Sequence, residues 1–265
     1  MAIQHRARKR FGQNFLSDQS IIQRIVQSIN PQPGQRIIEI GPGLGALTCP
    51  ILNIAEQIDV IELDRDIIPK LQLNCGLDQV QDKHLRIHNM DVLNFDFAQL
   101  NYTEPLRIIG NLPYNISTPI IFHLVKYSPL IQDMFFMLQK EVVQRLAAKP
   151  DTSNYSRLSV MAQYYFNVTP LFLVPATAFE PIPKVESAIV RLIPHTKKPI
   201  SVDDDKAFAK LITLAFSQRR KTLRNVLKDV YSPEQLEAVG IDPGCRAQSL
   251  TLQQFADIFN IQQSA

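Results

Sequence analysis

The chain has 265 residues, of which 45% are hydrophobic and 20% charged, the balance of an ordinary globular protein with room for one large and one small domain. No apolar run approaches the roughly 20 residues that span a bilayer, and the basic start MAIQHRARKRF leads into no apolar stretch, so neither a membrane association nor a secretory signal is expected. A formal net charge of +3 is too small to name a nucleic-acid partner by itself, so the distribution of charge has to carry that argument.

In chain order, Ser17 or Asp18 can cap a helix in which Ile21, Ile22, Ile25, Val26 and Ile29 keep a helical period, ended by Pro31, Pro33 and Gly34. Residues 36–40 read as a buried strand, followed by a Gly-rich turn and a helix to about 54. A strand at 57–63, a helix at 67–73, and strands at 85–89 and 107–110 follow. Ser117 or Thr118 is placed to cap a helix with Pro119 at its first position, running to about 126. Next come a strand at 131–138, a helix at 140–148, and late strands at 168–174 and 186–193 that bracket the Pro-rich 179–183. Residues 194–205 read as a linker, and helices are expected at 206–216, 222–230, 232–239 and 252–260. Strands alternating with helices imply an α/β, doubly wound, mostly parallel, seven-stranded Rossmann-like sheet, joined to a small all-α C-terminal domain. The expected domains are 1–196 and 203–265.

Cys49, Cys75 and Cys245 are odd in number, far apart and without zinc spacing; they fit a reducing, cytoplasmic setting, and no metal is expected. His84 and His88 fall in a strand and read as ordinary polar residues. Positive charge is locally concentrated: Arg6, Arg8, Lys9 and Arg10 precede the first acidic residue, and Arg219, Arg220, Lys221, Arg224 and Lys228 cluster again near the C-terminus. Such clusters suit a phosphate backbone. On one continuous helix, Arg220, Arg224 and Lys228 would share a face.

Glu39-Ile40-Gly41-Pro42-Gly43-Leu44-Gly45 lies between a strand and a helix, where glycines let backbone approach a ligand. Glu62 ends the next strand, where an acid accepts hydrogen bonds from ribose hydroxyls. A dinucleotide dehydrogenase would show G-x-G-x-x-G; here the third glycine comes one residue early. Asn111-Leu112-Pro113-Tyr114 follows an apolar strand and offers an amide oxygen, a backbone carbonyl and a stacking ring around a proline that lacks an N–H. Acceptors beside an aromatic ring suit a flat heterocycle carrying an exocyclic amine.

The G-x-G-x-G loop with Glu39 resembles that of S-adenosylmethionine-dependent methyltransferases, and Asn-Leu-Pro-Tyr resembles their signature for methylating ring-conjugated amines. Together with 11–16, 111–118, 139–142, 179–187 and 216–225, these motifs resemble the ribosomal RNA adenine dimethylases over nearly the whole chain, and the 216–225 string resembles the housekeeping small-subunit branch. The resemblance implies S-adenosylmethionine as cofactor, with Asn14 and Leu16 closing over it, Gly41 and Gly43 approaching it, Glu62 on its ribose, Asp91 on its adenine, and Asn111 between cofactor and target. Asn111, Leu112, Pro113 and Tyr114 would be catalytic, with Phe179 sandwiching the target base against Tyr114. Arg8, Lys9, Arg10, Arg219, Arg220, Lys221 and Arg224 would bind RNA. The implied substrate is a pair of adjacent adenosines in the 3′-terminal hairpin of small-subunit ribosomal RNA in a pre-30S particle, dimethylated by a monomer. A non-catalytic assembly factor would show a damaged loop, and both motifs are intact. A DNA adenine methylase is disfavoured by the helical C-terminus and 179–187, and a large-subunit RNA methylase by 218–225.

Overall fold

A computed structural model describes residues 14–76 and 84–261. These form two compact units, one built from the chain up to Val143 with Thr169–Pro194, the other from Gln144–Val168 with the chain from His195 onward.

The first unit starts with β1 (Phe15–Leu16) and α1 (Gln19–Ile29). Asp18 is the cap of α1, its carboxylate accepting from the Ser20 and Ile21 amides, and Ile22, Ile25, Val26 and Ile29 form the buried face. Then follow β2 (Arg36–Ile40), α2 (Thr48–Ala55), β3 (Gln57–Ile61), α3 (Ile68–Asn74), β4 (His84–His88), β5 (Leu106–Asn111), α4 (Ser117–Val125), β6 (Ile131–Gln139) and α5 (Lys140–Leu146). β7 (Phe166–Val174), β8 (Phe179–Glu180) and β9 (Ser187–Pro194) follow, with the end of α5 and the first three residues of β7 falling in the stretch Gln144–Val168 of the second unit. Seven of these strands form one sheet in the order β4-β3-β2-β5-β6-β9-β7. β4, β3, β2, β5 and β6 are parallel neighbours, and β9 runs antiparallel to β6. The inner strands are β-branched and buried on both faces, as a helix-covered parallel sheet requires. Ile38, Ile58 and Ile108 are almost wholly enclosed, and each such side chain contributes roughly 1.5–3 kcal/mol. β1 and β8 pair separately and antiparallel, with Leu16 opposite Phe179. Among the described residues, no helix is long and apolar enough to cross a membrane.

The second unit holds α6 (Arg157–Tyr165), α7 (Asp205–Ala215), α8 (Leu223–Val226), α9 (Pro233–Ala238) and α10 (Leu252–Ile261). α6 was not expected. Six of its nine residues are buried, so it lacks the polar stripe that makes a helix legible as a period. A Ser156–Ser159 capping box starts it. It packs against α7 and α10, Tyr164 Oη donating to Asp205 Oδ1 at 2.6 Å, and this draws 144–168 into the unit beyond the boundary expected at 203.

Two other local expectations change. The helix expected at 222–230 is a single turn that ends at Val226, its first amides, Leu223 N and Arg224 N, donating to Cys245 O and Pro243 O. Arg220, Arg224 and Lys228 therefore do not share one helix face. In α4, Ser117 is the first helical residue, no side chain caps the helix, and Pro119 stands in its third position. The cysteine reading is also corrected: Cys49 and Cys75 form a disulfide, with Cα atoms 4.8 Å apart. α2 and the end of α3 meet beside Gly45, a juxtaposition that a separation of 26 residues does not announce.

Candidate active site

A cavity of about 630 Å³ opens at the carboxyl ends of β2, β3 and β5, the place where open α/β sheets bind ligands. Every residue assigned from sequence to the cofactor lies on its wall, as do Leu112, Pro113 and Tyr114.

The turn after β2 supplies one end. Gly41 donates its amide to Ile61 O at 2.9 Å, which ties the turn to the end of β3. A Cβ at Gly41 would stand 3.9 Å from the Asn111 carbonyl, so its absence keeps the two strand ends open to a ligand. Gly43 takes φ +54°, and a Cβ there would meet the Phe15 ring at 3.3 Å. β1 is thereby laid against the glycine turn.

Two carboxylates sit behind that turn. Glu39 is 2% exposed, and Thr48 Oγ1 donates to its Oε2 at 2.6 Å. Burial pushes the Glu39 carboxyl up to about 7, against the Thr48 hydrogen bond; the neighbouring Glu62 adds to the rise. Glu62 accepts from Asp64 N at 2.8 Å and Gly43 N at 3.4 Å. Burial also raises the Glu62 pKa, with the Asp64 and Gly43 amides opposing. Asn89 Nδ2 donates to Glu62 O at 2.7 Å and holds the end of β3 in place. Asp91 directs Oδ1 to the Leu93 amide at 2.9 Å, capping the short turn Val92–Asn94. A positive-φ glycine turn, an open position at Gly41 and two wall carboxylates able to accept hydroxyl and amine hydrogens fit the nucleoside and amino-acid parts of S-adenosylmethionine.

At the other end, Asn111 closes β5. Its Nδ2 donates to the backbone carbonyl of Asn14 at 3.3 Å. A carbonyl can only accept, so this contact fixes the amide orientation and leaves Oδ1 as the group offered elsewhere. Leu112 donates its amide to Met137 O at 3.2 Å, and its side chain is buried, so its own carbonyl is what it can offer a ligand. Pro113 O accepts from Ile116 N at 3.1 Å, closing the turn. Tyr114 is half-buried, and its hydroxyl lies 2.9 Å from Ser187 Oγ.

Phe179 is a correction. It is 2% exposed and packs in the core with Leu16, Ile22, Val174 and Ile189, and it does not line the cavity. Pairing of β8 with β1 turns it inward, so it does not face Tyr114 across a base. Arg219, Arg220, Lys221 and Arg224 are exposed on the second unit, with Arg219 donating to Ser153 O. Arg8, Lys9 and Arg10 lie outside the described residues.

The reading of the chain missed Ser187, the Asn14 main-chain carbonyl and the Glu39–Thr48 pair as contributors. Glu39 and Thr48 stood nine residues apart around the glycines, a signal that could have been used. Tyr114 and Ser187 are 73 residues apart, and no local pattern links them.

The family model described as Ribosomal RNA adenine dimethylase matches residues 4–264. A relative from Yersinia enterocolitica named Ribosomal RNA small subunit methyltransferase A is 53% identical over 97% of this chain and 93% of its own length. A protein of the same name from Marinobacter nauticus is also 53% identical, over 97% of this chain and 92% of its own. Among solved structures, a dimethyladenosine transferase from Plasmodium falciparum aligns with TM-score 0.78 and 26% identity, covering 92% of this chain and 95% of that one. The 23S rRNA methyltransferase ErmE aligns with TM-score 0.71 and 25% identity, covering 94% of this chain and all of that one. The chain belongs to the ribosomal RNA adenine dimethylase family.

Proposed function

We propose that this protein dimethylates the N6 amines of two adjacent adenosines in the 3′-terminal hairpin of small-subunit (16S) ribosomal RNA, acting as a monomer on a pre-30S particle in the cytoplasm. Its cofactor is S-adenosylmethionine, which when bound supplies an electrophilic methyl group on a sulfonium. Support for the small subunit over the large one comes from the relatives named for it, which are far more similar in sequence than ErmE.

The observation that carries the chemistry is the hydrogen bond from Asn111 Nδ2 to Asn14 O. The N6 lone pair of adenine is delocalised into its ring and is a weak nucleophile. In the first transfer Asn111 Oδ1 and Leu112 O accept the two amine hydrogens, and in the second one of them accepts the hydrogen that remains. Each time this favours a pyramidal nitrogen whose lone pair is free to react. Asn111 cannot rotate away without losing Asn14. No strong base is needed, because the newly methylated nitrogen is cationic and acidic enough to give its proton to water. Holding reactants in line is worth up to about 7–11 kcal/mol, and here the rigid end of β5 does the holding. Tyr114 stacks on the turned-out base, a contact worth about 1–3 kcal/mol that offsets the few kcal/mol needed to unstack it. Glu62 accepts from the cofactor's ribose hydroxyls and Asp91 from its adenine amine. Asn14 and Leu16 close over the cofactor, Gly41 approaches its methionine portion, and Gly43 contacts it beside Gly41. Arg219, Arg220, Lys221 and Arg224 contact phosphates, with Arg8, Lys9 and Arg10 in the same role.

The test offers labelled S-adenosylmethionine separately with unmethylated small-subunit particles, large-subunit RNA and duplex DNA, then maps the label. Two neighbouring adenosines near the small-subunit 3′ end are expected to carry it. Label confined to large-subunit RNA or DNA would overturn the assignment.

A further inference from the structure

We propose that Ser187 is a positioning residue for methyl transfer: it pins the Tyr114 ring at the angle from which that ring stacks on the target base. The proposal rests on the adenine reading above and deepens it.

Ser187 is fully enclosed, and its hydroxyl lies 2.9 Å from the Tyr114 hydroxyl. Both residues hang from the end of one strand. Asn111 stands opposite Met137 of β6, and Leu112 N donates to Met137 O, so β6 places the turn that carries Tyr114. Two residues on, Gln139 pairs with Ser187, the first residue of β9. Lys140 N donates to Glu186 O at 3.0 Å, and Lys140 Nζ meets Glu186 Oε2 at 2.8 Å, clamping the residue beside Ser187. The Tyr114–Ser187 contact therefore closes a loop through the ends of β5, β6 and β9. Every other member of that loop is held by main-chain hydrogen bonds, so Ser187 offers the ring a fixed anchor.

The ring needs one. Tyr114 sits in a turn after Pro113, where main-chain bonds hold the backbone and leave the side chain torsions to be set by contacts. A phenol tethered at its far end cannot swing about χ1. The base stacked on it is then held in a single plane relative to Asn111 Oδ1 and Leu112 O. Without the tether the ring remains, and the base still binds, but the amine samples tilted positions. Loss of alignment lowers the rate of transfer more than it lowers affinity.

Ser187→Ala, Tyr114→Phe and the double variant are assayed with the wild type on unmethylated small-subunit particles, measuring kcat, both KM values and Tm. The expected result is a fall in kcat of about tenfold in each single variant, an unchanged KM for the methyl donor, and a double variant no slower than either single one. Ser187→Thr, which keeps the hydroxyl, should recover much of the rate. Wild-type kcat in folded Ser187→Ala, or additive losses in the double variant, would overturn the proposal while leaving the adenine reading intact. A wild-type protein that methylates no adenine would overturn that reading instead. Should Ser187→Ala not fold, Tyr114→Phe alone decides: it retains the ring and loses the tether, and an undiminished kcat counts against the pin.

Discussion

The two ends of the cavity present different chemistry. The end at β2 and β3 uses carboxylates set in or near the core, Glu39 and Glu62, whose protons are held more tightly than in water because burial disfavours the charged form. The end at β5 uses neutral groups, the Asn111 amide and the Leu112 carbonyl, whose orientation is set by main-chain contacts to Asn14 and Met137. Under the proposed function, the carboxyl oxygens at one end meet the cofactor's hydroxyl and amine hydrogens, whereas the neutral acceptors at the other direct a nitrogen that becomes cationic without holding its proton.

Breaking the neutral end should have the largest effect. Asn111→Ala is expected to lower kcat by about 10²–10³-fold, the usual cost of losing a preorganised polar group at the reacting centre, with the fold retained by circular dichroism. Near-wild-type turnover would remove Asn111 from the mechanism.

The charged end should respond to pH. Burial pushes the Glu39 carboxyl up to about 7 in the folded protein, from the 4.5 of an exposed glutamate. Its protonated form is thus favoured by folding, so this stabilising contribution is complete below the unfolded value and disappears as pH rises through the folded one. Glu39→Gln does not titrate. The stability difference between wild type and Glu39→Gln should shift against the wild type by on the order of 3 kcal/mol between pH 4.5 and 8. Parallel urea midpoints across that range would show that Glu39 keeps an ordinary pKa.

Glu62→Ala should weaken binding of S-adenosylmethionine by about 10- to 100-fold, the range for hydrogen bonds to a charged group, and leave RNA affinity nearly unchanged. Titration calorimetry that returns the wild-type dissociation constant would sink the ribose assignment. The smallest effect belongs to the second unit: Arg224→Ala should reduce the slope of log affinity for small-subunit particles against log salt by about 1. An unaltered slope would take Arg224 off the phosphate path.

Much of the cofactor end was legible because its determinants are local. Buried parallel strands are continuous apolar runs, and Gly41, Gly43 and Glu62 stand at the places where such strands end. Asn111–Tyr114 was legible for the same reason, as a polar turn closing an apolar strand. Phe179 was misread because an aromatic among prolines carries no sign of which way it faces; the pairing of Leu16 with Phe179, far apart in the chain, turned it into the core. α6 escaped because burial on most sides erased its period.

The amino-acid order alone determined the alternation of strands and helices, the glycine turn, and the polar tetrapeptide at the end of β5, since each depends on contacts a few residues apart. Only the tertiary structure decided that Asn14 orients Asn111, that Ser187 meets Tyr114, that Cys49 meets Cys75, and that Phe179 lies in the core. Those contacts join segments tens of residues apart or more, and they arise only when sheet order and helix packing bring strand ends and helix ends together.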